Sequence, residues 1–367
     1  MKNSFRLFDL NLSCDIIRDK IVVIESDDWG SLRSHKGFIE GAICTKYPQL
    51  KISPYISNDC LETTEDLNKL FEVLNSFKDD HGNNPVITAN TVMTNPDFNR
   101  IRDSDFVRYH YERFTDTLRN RDKNDAVIKL YSEGHTQKLF IPQFHGREHV
   151  NIEMWMNLLK NNEMFREAFD YQVWGISKDV RPDLRRSVQA TLDTSFKLAE
   201  ESVREGLDLF RRIFGFQSHT FIANNFIWDP NLHGLLKEKG VQFIQGAKYQ
   251  LLPLYGKHKR NRLRHRFGER NDYNQIFGVR NCTLEVAVGQ STVDSCLKEI
   301  AMAFWMKKPA VISMHRLNFM GGIDAKNRDR GLSALSNLVK QLLKKWPDVQ
   351  FMSTPQLNDY LRESRTE

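Results

Sequence analysis

The chain has no run of 18 or more apolar residues: the stretch 21–24 stops at Glu25, and 301–306 stops at Lys307. A membrane-crossing helix is therefore excluded. Cysteine is scarce, with five residues in 367, an odd number and nowhere a Cys-x-x-Cys spacing. That excludes a disulfide scaffold and a cysteine-zinc site. Cys14, Cys44, Cys60, Cys282 and Cys296 are expected to be reduced thiols in a cytoplasmic setting. The first residues reach Asp9 before any apolar stretch long enough for a secretory leader, so no export is expected. Internal repeats and low-complexity linkers are missing too, and a repeat architecture is excluded with them.

What is present suffices for a globular fold. Apolar residues make up 40% and aromatics 11%, while charged residues stay at 27%, so the bulk of the chain is not disordered. The formal charge is +6, and one segment explains it: residues 257–270 hold seven Lys/Arg and one Glu, a local +6. The segment reads either as a solvated loop or as a patch for an anionic ligand such as a phosphate or an acidic glycan. It is a single run without interleaved aromatics, so no nucleic-acid partner is expected.

Short β-branched or apolar runs alternate with longer amphipathic segments. Strands are predicted at 21–25, 86–89, 139–144, 172–176, 220–223, 242–244, 310–314 and 349–352. Helical patterns lie at 61–77, 98–118, 184–214, 230–239, 292–306 and 332–345. This alternation points to βα units on a parallel sheet, and so many strands suit a (β/α) barrel better than an open sheet. The whole chain, 1–367, is expected to form one domain. Residues 246–280, basic and without periodicity, are expected to be a long surface excursion, and 35–60 a second.

Three apolar strands end in residues that carry chemistry. The first, Ile21-Val-Val-Ile-Glu-Ser-Asp-Asp-Trp-Gly30, runs into Asp27 and Asp28. Adjacent side chains leaving a strand diverge, so one carboxylate can serve a metal and the other a water. Equally, Asp-Asp can begin a turn or cap a helix. The second, Leu139-Phe-Ile-Pro-Gln-Phe-His-Gly-Arg-Glu-His149, ends in His145 and His149. On a helical turn that i, i+4 spacing puts both imidazoles on one face. Two histidines and a carboxylate form a three-ligand set that leaves positions open for water and substrate. The third, Pro309-Ala-Val-Ile-Ser-Met-His315-Arg316, delivers one histidine, which alone would read as structural. In parallel barrels the C-terminal strand ends converge on the active site.

Asp27-Asp28 with Gly30, His145/His149 and Val311-Ile-Ser-Met-His315 resemble, in order and spacing, motifs of the polysaccharide deacetylase family, the NodB-homology group. The tail Trp346-Pro-Asp-Val-Gln-Phe-Met-Ser-Thr-Pro-Gln-Leu357 is similar to the end of its barrel. The resemblance implies a distorted (β/α)7 barrel and metal-dependent removal of acetyl groups from N-acetylated sugars in a polysaccharide or its precursor. It implies Asp27 as general base, His315 as general acid, and Asp28, His145 and His149 as ligands of a divalent ion. Two nitrogens and an oxygen suit Zn2+, with Co2+ or Ni2+ as substitutes.

The sequence also departs from the family. Ser26 and Trp29 flank the aspartates where phenylalanine and Gly-Pro are usual, and the Arg-x-Pro-Tyr motif is missing. Arg147, Arg280 and Arg316 are the candidates for the absent arginine, and no aspartate is evident to tune the histidine. Asn224, Asn225, Trp228 and Asp229 offer hydrogen bonds and an aromatic face for a sugar ring, although Asp229-Pro230 also reads as a helix cap. Trp29, Arg147 and Arg316 complete the candidate substrate contacts. The expected partner is a carbohydrate, anionic or carrier-linked. The alternatives are an O-acetyl or other amide hydrolase on the same barrel, or a glycan-binding pseudoenzyme.

Overall fold

In the computed structural model, which describes residues 2–12, 15–176 and 187–364, the apolar run after Lys20 forms strand β1 (Lys20–Trp29). It is buried at every residue but the first. Burial on both faces is what a central parallel strand requires, and it accounts for the unbroken Ile-Val-Val-Ile run. Eight further strands join it in one sheet: β2 (Ile87–Thr91), β3 (Phe140–Phe144), β4 (Thr220–Phe221), β5 (Phe243–Ile244), β6 (Ile276–Phe277), β7 (Cys282–Thr283), β8 (Ala310–His315) and β9 (Val349–Met352). The order is β6-β5-β4-β3-β2-β1-β8-β7, with β9 on the first residues of β1, and every pairing is parallel.

β6 and β7 are the two ends of one short run of chain. Gly278 and Arg280 N–H groups donate to the carbonyls of Ile244 and Gly246, and the Asn281 N–H donates to Val311. The run thus starts against β5 and ends against β8, bridging the two edges of the sheet. The result is a distorted (β/α) barrel with seven strand positions, with β9 beside β1. Helices Thr64–Asn75, Phe196–Phe214, Val293–Trp305 and Ala325–Lys345 cover its outside. Leu67, Leu207, Ile300 and Leu335 from them share one core with Val22, Ile24, Ile87 and Phe140.

Along the inward face the chemistry changes with height. On β1 the inward residues are Ile21, Val23, Glu25 and Asp27; on β8 they are Val311, Ser313 and His315. The lower layer is apolar, closed by Leu357 and Leu361 of the C-terminal helix Thr354–Glu363. The upper layer is polar and hydrogen-bonded: Asn90 and Gln245 exchange bonds of 2.8 and 2.9 Å, Gln245 also donates to Thr220, and Thr354 donates to Glu25. Polar groups at that depth are tolerable because each has partners. This layer carries the site.

Several sequence expectations are corrected. Residues 172–176 form no strand. The predicted helix 98–118 is broken: Phe98–Asp103 ends before Asp105 and Phe106, both at positive φ, and Phe114–Asp122 follows an antiparallel pair of Thr94–Pro96 with Tyr111–Arg113. The predicted helix 184–214 begins at Phe196, and its residues 184–186 lie outside the described residues. Segment 35–60 is no excursion, since Phe38, Leu50 and Ile56 build a second core with Trp155, Phe169 and Trp174. Only part of 246–280 leaves the barrel, as an antiparallel hairpin of Tyr249–Leu251 with Arg262–Arg264, before the chain returns to supply β6. Cys44, Cys60, Cys282 and Cys296 are buried free thiols, and Cys14 lies outside the described residues. Among the described residues no helix is long and apolar enough to cross a membrane.

Candidate active site and metal centre

Alternation along β1 sends Asp27 inward and would send Asp28 to the opposite face. The pairing with β2 slips between Ser26 and Trp29, and Asp28 sits at φ 77°. This left-handed turn, costing about 1 kcal/mol for a residue other than glycine, swings Asp28 into the same cavity as Asp27. Such strain at a strand end persists only where the surroundings enforce it. Asp28 Oδ1 lies 2.9 Å from His149 Nε2 and 3.3 Å from His145 Nε2, and Oδ2 lies 3.0 Å from an Arg33 nitrogen. Desolvation opposes the charge on Asp28, but Arg33 and the histidines hold its carboxyl well below the usual carboxylate range.

His145 and His149 follow β3 on an irregular turn, so an extended loop rather than a helical turn brings their rings to 5.3 Å. Gly146, at φ 121°, makes this turn possible, as a Cβ there would meet the Glu148 carbonyl at 3.0 Å. His145 Nδ1 is 3.1 Å from the Ile222 carbonyl, which makes Nδ1 the protonated nitrogen and leaves the Nε2 lone pair facing Asp28. The Asn224 amide supports the same ring, bonding the His145 carbonyl at 3.0 Å and reaching Nε2 at 3.2 Å. Burial pushes His149 down to about 4 despite Asp28, so it is neutral near pH 7. Its Nδ1 is buried without a hydrogen-bond partner.

A carboxylate oxygen and an imidazole lone pair facing each other repel unless a cation or proton lies between them. One oxygen and two nitrogens within 4.8 Å of one another, a neutral His149 and a His145 ring fixed through its other nitrogen are what a divalent-metal site needs. Asp28, His145 and His149 therefore fit such an ion.

Asp27 is held differently. Arg280, from the run between β6 and β7, donates to both its oxygens at 2.6 and 2.7 Å and to Glu25 at 2.7 Å, and Asn90 adds a bond of 2.7 Å. Burial would raise the Asp27 pKa, but the guanidinium overrides it and holds the group at about 2. Opposite, His315 Nδ1 lies 2.6 Å from Glu285, whose other oxygen accepts from Asn318 at 2.9 Å. Burial alone would lower the His315 pKa; Glu285 overrides it and raises it to about 9. All five nominated chemical residues line one cavity of about 410 Å³, together with Arg33, Tyr55, Asn225, Phe226, Arg280 and Ser313.

No family model and no curated protein matches the chain. Among solved structures it is similar to a 4-alpha-glucanotransferase from Thermococcus litoralis, at 8% identity and TM-score 0.45 over 93% of this chain and 40% of that one. A probable polysaccharide deacetylase from Pseudomonas aeruginosa matches at 11% identity and TM-score 0.42 over 95% and 92% of the two chains. A CE4-family pseudoenzyme from Bacillus anthracis matches at 7% identity and TM-score 0.39 over 93% and 66%. These likenesses are remote, and the fold stated above rests on this chain's own strand order and register.

Other nominated residues stand elsewhere. Trp29 is fully buried in the outer core, its indole N–H on Ser26 and its ring edge-to-face with Phe140. Arg147 is held by Glu148 and Glu205 under the Tyr111 ring. Trp228 is buried with its indole N–H on His233, and Asp229 caps the turn beginning at Pro230 while accepting from Tyr255. Arg316 is fully buried between Asp59 and Glu62. These five do not line the cavity; Asn225 does, and Asn224 acts on it through His145. Glu285, Arg33 and Tyr55 were not singled out from the sequence. Glu285 had one signal, a carboxylate just after the short apolar run ending at Leu284, as Asp27 ends the first.

Proposed function

We propose that this chain is a metal-dependent hydrolase of the polysaccharide deacetylase type, removing acetyl groups from N-acetylated sugars by attack on a non-peptide carbon–nitrogen bond. One observation carries the reading: Asp27, the cluster of Asp28, His145 and His149, and His315, each with its own charged partner, face a single cavity at the C-terminal ends of the strands. Asp28, His145 and His149 would hold the ion, with zinc suiting the two nitrogens and one oxygen. Such an ion supplies Lewis-acid character, polarising a carbonyl oxygen and making water a stronger acid.

Asp27, fixed by Arg280 and Asn90, accepts a proton from the attacking water. Arg280 makes it a weak base but an ionised one with a single orientation. His315, kept protonated by Glu285, donates to the departing nitrogen. An acid protonated up to about pH 9 suits an amide better than an ester, because an amine cannot leave without a proton. Arg280 and Glu285 stand in for the arginine and aspartate that the sequence lacks at the family's usual places. Their presence supports turnover over a purely glycan-binding role. The partner is a carbohydrate, anionic or carrier-linked.

Acetate release from a panel of N-acetylated and O-acetylated sugars, with and without added divalent metal, tests this. Metal-dependent release from N-acetyl sugars is expected. Metal binding without any release would support the pseudoenzyme instead, and release from O-acetyl sugars alone would replace the amide by an ester.

A further inference from the structure

The basic segment has no part in the chemistry above, and its geometry separates its cations into two groups. Between Lys248 and Arg270 stand eight Lys/Arg and one carboxylate, Glu269. Lys248 and Arg264 both pair with Asp9 of the N-terminal helix, and Arg260 clasps Asp193 while that same carboxylate takes the Leu254 N–H. These contacts pin the hairpin to the body. Lys257, Lys259, Arg262 and Arg266 are exposed and, among the described residues, pair with no carboxylate. Glu269 does not serve them, since it accepts from the Arg266 backbone and faces His265.

We infer that the outer edge and tip of this hairpin dock on an anionic lipid surface. Three observations favour a bilayer over other anions. The free cations are spread along a projecting hairpin rather than converging on a pocket, so no cage for a single phosphate forms. Tyr255 and Leu263 stand among them, 43% and 39% exposed, and apolar side chains interleaved with cations suit a headgroup boundary but not a sugar-phosphate backbone. The rest of the hairpin is already held, so docking orders little additional chain. The hairpin also sits beside the cavity rim: Trp228 N–H donates to Leu251 and Tyr255 to Asp229, in the loop whose Asn225 and Phe226 line the cavity. A docked surface would therefore lie near the site's entrance.

The test is co-flotation of the full chain with phosphatidylcholine vesicles made with and without phosphatidylglycerol, at low and high salt. Binding is expected only to the anionic vesicles and is expected to weaken with salt. Each cation near such a surface is worth roughly fivefold. Replacing Lys257, Lys259 and Arg266 by serine should therefore weaken binding on the order of 100-fold, with an unchanged melting temperature because none has a carboxylate partner, whereas Arg262 also lies over the Tyr249 ring. Tyr255→Ser with Leu263→Ser should weaken it at constant charge. No flotation, or flotation that survives the triple replacement, would overturn the inference. Flotation indifferent to the apolar pair would assign the hairpin to soluble polyanions and overturn it too. None of these readouts depends on deacetylation.

Discussion

Glu285 sets the proton affinity of His315. With Glu285→Gln the largest raising group is lost while desolvation still lowers the imidazolium's pKa and Asp28 and Asp27 still raise it, so the value should fall from about 9 toward the ordinary 6.5. The alkaline limb of the pH–rate profile, expected near 9, should move toward neutrality. NMR titration of His315 would show the same shift. The same pair links to stability with a definite sign: a pKa raised on folding stabilises fully below about 6.5 and ceases to do so as pH rises through about 9. The two aspartates separate in the same way. Asp27→Asn should lose roughly 10²–10⁴-fold in rate with metal content near that of the parent, whereas Asp28→Asn should lose metal and rate together. Metal analysis and rates on the same preparations decide this, and full activity in Asp27→Asn would refute the mechanism. Asp27, Asp28, His145, His149 and His315 were legible because each follows an apolar run long enough to read as a strand. Arg280 was only one of three candidate arginines, and Glu285 went unnoticed, because the strands beside them have two residues each and show no period.

At the scale of elements, helix Ala325–Lys345 comes so close to the turn Arg316–Phe319 that only glycine fits between them. A Cβ on Gly331 would lie 1.7 Å from the Asn318 carbonyl oxygen. Asn318 in turn donates to Glu285, so the packing of this helix reaches the acid. Gly331→Ala should destabilise by about 1–3 kcal/mol, the usual cost of overpacking, and should also lower kcat. Denaturant unfolding and rate measurement check the two effects, and an unaltered rate in a destabilised variant would uncouple the helix from Glu285. The helix was legible from residue 332 onward, but the contact was not. Glycine at that position has no sequence pattern, and its need arises from a segment more than ten residues away.

For the molecule as a whole, a buried ion network ties residues 28–62 to Arg316 at the end of β8. Arg316 joins Asp59 and Glu62, and Arg33 joins Asp59 and Asp28. Arg316→Met would leave Glu62 without its cation and Asp59 with Arg33 alone, and breaking a buried pair in this way costs about 3–5 kcal/mol. Stability should fall by that order while the Michaelis constant of the folded fraction stays near the parent's. A raised Michaelis constant at unchanged stability would return Arg316 to the substrate.

Hydrophobic runs and their polar ends determined the parallel barrel and the five residues that meet in its cavity, because strand burial and the direction of the chain are local properties. Tertiary structure decided which arginine meets Asp27, which carboxylate meets His315, and that Trp29, Arg147, Trp228, Asp229 and Arg316 stand away from the cavity. Those outcomes depend on pairings between distant segments, where an ion's partner is set by what the fold buries beside it, and no spacing along the chain encodes that.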